Sequence, residues 1–430
     1  MFEELASVDD AADEAALVAR LTALEAAKAA AAAGQARATA LLDARRRAAD
    51  AAAGIPPAKR GRGLAAEIAL ARRDSPTRGG RHLGFARALV HEMPHTLAAL
   101  QTGMLSEWRA TLLVRESACL SVNDRRRFDA ELCADPTRLA GWGDTRLTAE
   151  AKRIAYRLDA QAVVDRAAHA ATDRRVSVRP APDCMTYVTL LLPVAQGVAI
   201  YAALKRAADT TVDDRSHSQV MADTAYERLT GRPADAPVPI TVNLAISDDA
   251  LLGGGTEPAH LHGYGPVPAG TARHWITDAA TDSRTRATLR RLYTRPHTGA
   301  LVAMDSRARI FPKGLATFID LRDQTCRTPY CDAPIRHHDH ARPYAFGGPT
   351  SADNALGECA GCNYTKETPG WTVATTAGQG RHSATFITPT GHRYTSTAPA
   401  APGHHPVHIT RPRIRIRCRL ISAHHRPLRR

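Results

Sequence analysis

Cys326-Arg327-Thr328-Pro329-Tyr330-Cys331 and Cys359-Ala360-Gly361-Cys362-Asn363 flank the run His337-His338-Asp339-His340-Ala341-Arg342-Pro343-Tyr344-Ala345-Phe346-Gly347-Gly348-Pro349-Thr350, with Asn354, Leu356 and Lys366 close by. Each cysteine pair is a short chelating turn, and two such turns from separated segments supply the four thiolates that a tetrahedral Zn²⁺ takes. A zinc of this kind clamps a unit too small to bury enough apolar surface by itself. Disulfides are the alternative use of the same pairs, which a reducing setting disfavours. Cys119, Cys133, Cys184 and Cys418 lack that spacing, and the first three read as inert core thiols.

The ordered set Asp339-His340, Gly347-Gly348, Asn354, Cys359-x-x-Cys362-Asn363 and Lys366 resembles the HNH endonucleases. The whole set carries the resemblance, since a Gly-Gly pair alone marks only a turn. It implies a ββα-metal unit, two strands and a helix around one catalytic divalent ion such as Mg²⁺ or Mn²⁺. On that resemblance His340 is the general base, Asp339 and Asn363 are the protein ligands of the ion, and Asn354 is the loop residue that orients the histidine. Phosphodiester hydrolysis needs such groups: a base to activate water and a cation to neutralise charge on the phosphate and the leaving oxygen. Adjacent residues of an extended strand point to opposite faces, so Asp339 can hold an ion while His340 faces elsewhere. Asn363 stands where many members have histidine, and its carbonyl still suits a hard cation. His337 and His338 leave the register open, because either could ligate metal or merely adjoin the site. Arg336, Arg342 and Lys366 are the nearby cations expected to meet a nucleic-acid backbone.

Upstream, Asp173-Arg174-Arg175-Val176-Ser177-Val178-Arg179-Pro180, Asp214 to Gln219, and Arg290-Arg291-Leu292-Tyr293 before His297-Thr298-Gly299 are similar to an actinobacterial group. In that group a domain of unknown function, of the type numbered 222, precedes a C-terminal HNH module. The expected fold class is α+β, with a helix-rich N-terminal region, an α+β middle domain and a small C-terminal ββα-metal module holding the four-Cys zinc site. The expected divisions are 1–63, a long Ala-rich helix and linker; 64–312, helical then α+β; 313–396, the HNH module; and 397–430, a basic tail.

Within these divisions, residues 8 to 53 read as one helix with Leu17, Val18, Leu21 and Leu24 at helical spacing, able to pack or to pair in a homodimer. Leu147, Ala151, Ile154 and Leu158 form a later helical stripe, a core face. Around 175 the period turns to alternation. Val176 and Val178, a turn at Pro180 to Asp183, and Met185 to Leu192 predict a hairpin. Ile240, Val242, Leu244 and Ile246 predict a strand, Ala300 to Met304 another, and 194 to 208, 217 to 230 and 268 to 280 predict helices. A helix around Leu315, Phe318 and Ile319 should dock the module to the rest. Cys184 to Leu204 carries no charge, but Pro193 divides it, so no membrane span is expected. The acidic start Met-Phe-Glu-Glu-Leu is unlike a signal peptide, which points to a cytoplasmic protein.

With 44% apolar and 23% charged residues, the 430-residue chain is neither wholly disordered nor a disulfide scaffold. Its 57 Lys+Arg against 43 Asp+Glu give +14, which suits a polyanion such as DNA. Most of these cations are arginine, whose fork fits phosphate. From Ala398 onward no residue is acidic, while Arg411, Arg413, Arg415, Arg417, Arg419, Arg426, Arg429 and Arg430 load the tail for sequence-independent DNA affinity. The reading is a metal-dependent DNA endonuclease. The alternatives are a non-catalytic zinc-stabilised DNA-binding protein and a partner-binding scaffold.

Overall fold

The computed structural model describes residues 2–235, 244–281, 309–376 and 380–401. After a short helix α1 (Phe2–Ala6), the long helix α2 (Glu14–Ala52) starts where Asp13 accepts a hydrogen bond from the Ala16 amide, supplying one donor-hungry turn with a partner. The buried face of α2 is not the leucine stripe that the spacing suggested. Val18 and Leu21 are more than 60% exposed, whereas Ala29, Ala32, Ala33, Ala36 and Ala40 are buried. Close helix packing selects small side chains at the contact, and this alanine ridge lets α2 lie directly on its neighbours.

Those neighbours are α3 (Leu64–Ala71), α4 (Pro76–His91), α5 (Pro94–Gln101), α6 (Glu107–Glu116), α7 (Val122–Cys133) and α8 (Asp144–Leu158). Their core contains Leu89, Met93, Leu100, Leu113 and Phe128, together with Leu147, Ala151 and Ile154 from the stripe expected on α8. Asp129 of α7 is fully buried because it caps α5, accepting from the amides of His95 and Thr96. Cys133 lies in this core, where burial pushes its thiol up to about 11, as befits an inert group.

Helix α9 (Ala160–Ala170) leads to the antiparallel hairpin of β1 (Arg175–Pro180) and β2 (Thr186–Leu191), in register Val176 opposite Leu190 and Val178 opposite Val188. Helices α10 (Val194–Thr210) and α11 (His217–Thr230) follow, the latter opened by a reciprocal capping box between Ser216 and Gln219. A small sheet of β3 (Leu244–Ala245), β4 (Ala259–Leu261) and β5 (Gly265–Val267) precedes α12 (Ala269–Thr281). Of the strand expected over 240 to 246, Ile240 and Val242 lie outside the described residues. So do the strand expected at 300 to 304 and Arg411, Arg413 and Arg415 of the tail. The charge-free stretch from Cys184 resolves into β2, a break at Pro193 and α10. Among the described residues no helix is long and apolar enough to cross a membrane.

The C-terminal unit begins with α13 (Lys313–Asp323), whose Leu315 and Ile319 pack on Ala355. Strands β6 (His337–His340) and β7 (Ala355–Glu358) pair antiparallel, and α14 (Ala360–Lys366) follows directly. A second sheet, β8 (Thr372–Thr376), β9 (Ser383–Ile387) and β10 (Arg393–Thr397), covers them through Ala384 and Phe386 against Ala341 and Leu356. The whole chain is an α+β protein.

Two buried polar arrangements hold this unit in place. The Arg322 guanidinium donates to both Asp323 oxygens and to the Ala355 carbonyl, while Asp323 Oδ2 accepts from the Gly357 amide at 2.8 Å, fixing α13 to β7. On the other side, Ala66 and Leu70 of α3 pack against Trp371. Glu67, only 4% exposed, accepts from the Thr390 amide at 3.2 Å and from the Arg46 guanidinium at 2.9 Å. Burial works to raise the Glu67 carboxyl, but the Thr390 hydroxyl and Arg46 hold it below its usual value, so it stays charged. The N-terminal helices are thereby tied to the C-terminal sheet.

Candidate metal centre and active site

The four cysteines of the two chelating turns come together. Their sulfurs all lie within 4.8 Å of one another, and Cys331 Sγ is 3.9 Å from Cys359 Sγ. Zn–S bonds of about 2.3 Å in a tetrahedron require sulfurs about 3.8 Å apart, so the cluster could hold a zinc ion. Tyr330, at φ 63°, makes the left-handed turn that brings Cys331 back toward Cys326. Cys359 sits at the N-cap of α14, its sulfur accepting from the Cys362 amide. The crowded thiols cannot all ionise alone. Hydrogen bonds with Cys326, Cys331 and Cys362 drive Cys359 far down, while those with Cys326, Cys331 and Cys359 push Cys362 far up. A divalent cation is what resolves such a set, because thiolate ligands share its charge.

Beside this centre, β6, β7 and α14 form a ββα arrangement. On β6, Asp339 reaches Lys366 of α14, while the His340 ring centroid lies 4.7 Å from Phe311 and 5.7 Å from Tyr344 and its Nδ1 stays 3.6 Å from Asp339 Oδ1. His340 is 5% exposed, and Nε2 is 2.8 Å from Thr350 Oγ1. Burial lowers its pKa, with Asp339 pulling the other way, so the neutral imidazole that can accept a proton is the favoured form near neutrality. An open cleft of about 650 Å³ runs along Arg309, Ile310, Phe311, His338, Asp339 and His340.

The loop between the strands explains the Gly-Gly pair. Gly347 has φ 78°, and a Cβ on Gly348 would lie 1.8 Å from the Arg342 carbonyl oxygen. Asn354 staples this loop: Oδ1 accepts from the Arg342 amide at 2.9 Å, and Nδ2 donates to the Arg342 and Pro349 carbonyls at 3.0 and 2.9 Å. Its action on His340 is therefore indirect. Asn354 shapes the loop, and Thr350 of that loop makes the contact with the imidazole.

Around Asp339 the geometry is that of an oxygen-rich pocket. The Asn363 amide N–H donates to Asp339 Oδ2 at 2.6 Å and to Glu358 Oε2 at 3.2 Å in the orientation that satisfies all three groups. Lys366 was expected at the DNA backbone, but it is buried, its ammonium 2.6 Å from Asp339 Oδ2, 2.7 Å from Glu367 and 3.8 Å from Glu358 Oε2. Burial works against the Asp339 carboxylate, and the Lys366 ammonium more than offsets it, holding the group below its usual range. Burial pushes Glu358 well above the usual carboxylate range.

Arg336 and Arg342, expected at a nucleic-acid backbone, are exposed. His338 turns to Asp320 of α13, Nε2 to Oδ1 2.7 Å, and His337 lies against Tyr364. Three residues escaped the sequence reading: Thr350, Glu358 and Arg309. Thr350 and Arg309 gave no signal. Glu358 did give one, as the lone acid in the apolar run before Cys359.

The chain matches the family model described as Domain of unknown function (DUF222) over residues 22–323 and belongs to that family. The match takes in the N-terminal helices, the middle region and α13, and ends before the first zinc-type cysteine. No curated protein and no solved structure matches the chain.

Proposed function

We propose that this member of the DUF222 family is a divalent-metal-dependent endonuclease of the HNH class, hydrolysing DNA phosphodiester bonds. One observation carries the reading: His340 and Asp339 stand side by side on β6, Nδ1 3.6 Å from Oδ1, with the Asn363 amide of α14 closing on Asp339 at 2.6 Å. His340 acts as general base, taking the proton of the attacking water on its neutral imidazole. Thr350 holds the ring, and Asn354 holds the loop that carries Thr350. Asp339 and Asn363 would hold Mg²⁺ or Mn²⁺, which when bound supplies Lewis-acid stabilisation of the phosphate and leaving oxygen. Zn²⁺ at Cys326, Cys331, Cys359 and Cys362 is structural, fixing α14 and with it Asn363 relative to β6.

DNA contact falls to the exposed Arg336 and Arg342, with the exposed rings of Tyr344 and Phe346 beside them, and to Arg411, Arg413 and Arg415 of the tail. A cytoplasmic location suits cysteines that serve as thiolate ligands, because that compartment keeps them reduced. The exposed Leu17, Val18 and Leu21 on α2 fit a helix-mediated homodimer. A second reading, a non-catalytic zinc-stabilised DNA-binding protein, draws support from the Lys366 ammonium seated on Asp339.

The pH profile of DNA cleavage in Mg²⁺ tests the base. Because the neutral imidazole is the active form and burial lowers its pKa, the rate should rise with pH and level off below the ordinary histidine value of about 6.5. A rate flat from about pH 4 to 8 would remove His340 from the role. Deleting residues 404–430 should leave cleavage chemistry in place but weaken binding. The slope of log affinity against log salt should fall by up to about 7 if all eight tail arginines meet phosphates. An unchanged slope would exclude the tail from DNA.

A further inference from the structure

Beside the loop that Asn354 fastens lies a second open cleft, of about 490 Å³, sharing no lining residue with the cleft along His340. It adjoins the candidate site through Lys366, whose ammonium meets Asp339. One wall is β8, where four consecutive residues, 372 to 375, line the cleft. A strand presented by its face would contribute alternate residues, so the cleft meets β8 along its edge. Among the described residues that edge carries no further strand, since β8 is the outer member of its sheet and pairs with β9 alone. Its outward backbone N–H and C=O groups are open to a partner. The other wall is the loop, with Arg342 and Phe346. Phe346 ends the one-turn helix Tyr344–Phe346 and is 72% exposed, a large aromatic surface left in solvent. Trp371, packed from behind by Ala66 and Leu70, and Glu367 complete the lining. One Glu367 oxygen accepts from Lys366 at 2.7 Å, which leaves the other for a donor.

We propose that this cleft takes one unstacked nucleobase, so that DNA with an unpaired nucleotide is the favoured substrate. The inference rests on the reading of the protein as one that acts on DNA. The chemistry of the walls selects a base over the rest of a nucleotide. An exposed aromatic ring suits the flat face of any base. The Glu367 carboxylate repels phosphate but accepts from the N–H groups on a base edge. The open edge of β8 adds backbone donors and acceptors, which only a base released from its pairing partner has free groups to meet. Arg342, exposed on the loop, is placed for the phosphate of the same nucleotide. The volume of about 490 Å³ suits a ligand of that size, within the range of about 300–1,000 Å³ for small-molecule sites. Taking a base out of an intact duplex costs free energy that an unpaired nucleotide has already met. The competing role for Phe346 is a general contact with the outside of a paired duplex.

Equilibrium binding to the full-length, zinc-loaded protein, followed by fluorescence anisotropy without added Mg²⁺, separates these roles without reference to cleavage. Two labelled DNAs are compared at one salt concentration: a perfect duplex, and the same duplex with a single-nucleotide bulge. Wild type should bind the bulged duplex at least about tenfold more tightly, because its extra base is already unpaired. Phe346→Ala should bind the bulged duplex about 5- to 150-fold more weakly, the worth of one base–aromatic stack, and lose far less on the perfect duplex. Phe346→Trp, which keeps a stacking face, should retain the preference. Zinc stoichiometry and melting temperature check the fold of both variants. Equal affinity of wild type for the two DNAs would overturn the proposal alone, as would an equal loss on both in Phe346→Ala. If wild type binds neither DNA, the reading of the protein as acting on DNA and the proposal fall together.

Discussion

Replacing Cys362 with serine is expected to empty the four-cysteine centre and unfold the C-terminal unit while the N-terminal helices stay folded. The sulfurs of Cys326, Cys331, Cys359 and Cys362 are the core of this part of the unit, and little else packs there beyond Ala333. A structural zinc contributes about 10–16 kcal/mol in small zinc-dependent folds, more than the whole stability of most domains. Loss of one thiolate also frees the start of α14, and with it Asn363 and Lys366 lose their register against Asp339. The N-terminal core of Phe128, Leu113, Leu89 and Leu147 shares no residue with the cluster, so its helices should survive. Zinc stoichiometry, limited proteolysis and circular dichroism together read the result. Full zinc content with an unchanged protease pattern would show that the four sulfurs are not a metal site.

The second large effect belongs to His340. His340→Ala should lower DNA cleavage by about 10²- to 10⁴-fold, the usual contribution of a positioned general base, and leave zinc content and melting almost as they were. The loop should hold its shape in the variant, because Asn354 fastens it through Arg342 and Pro349 without using the imidazole. The Asp339 carboxylate keeps Lys366 when it loses the imidazole, and the Thr350 hydroxyl keeps the Arg309 carbonyl 3.5 Å away as an acceptor. His340→Gln should be as inactive as the alanine variant, since it can meet Thr350 but cannot take a proton near neutrality. Cleavage by either variant at the wild-type rate would move the base elsewhere, and His338 in the same cleft would be the next residue to change.

How far these features could be read in the sequence depends on the range of the interaction. Chelating turns are local, so the spacing of Cys326 with Cys331 and of Cys359 with Cys362 announced a site that the fold assembles. The alternation of a strand is local too, but it did not part Asp339 from His340 as expected, since the imidazole stays 3.6 Å from the carboxylate. What failed was anything decided by a distant partner. The leucines of α2 looked like its packing face, but its neighbours demand close approach and the alanines meet it. Lys366 looked like a phosphate ligand because lysine usually faces water. Two acids, Asp339 from β6 and Glu367 beside it, draw it inward. The tie from Glu67 on α3 to Thr390 spans 323 residues, and no periodicity could have signalled it. Arg322 and Asp323 at the end of α13 were not singled out in the sequence, yet they pin β7 from inside.

The helical domain and the candidate site are one physical system. Trp371 and Tyr394 of the C-terminal unit share a cluster with Ala66 and Leu70, and Glu67 bridges Arg46 of α2 to Thr390. The family-matched region therefore serves as the platform against which the C-terminal sheet is set, and that sheet in turn backs β7 through Phe386 and Leu356.

The most direct test of the central claim is incubation of supercoiled plasmid with the purified full-length protein in Mg²⁺, in Mn²⁺ and in EDTA, with His340→Ala alongside. Nicked or linear DNA that forms only with the divalent ion and is lost in the variant is the predicted result. Plasmid that the protein retains but leaves intact with either ion, while its zinc is in place, would contradict the endonuclease and leave a DNA-binding protein in its stead.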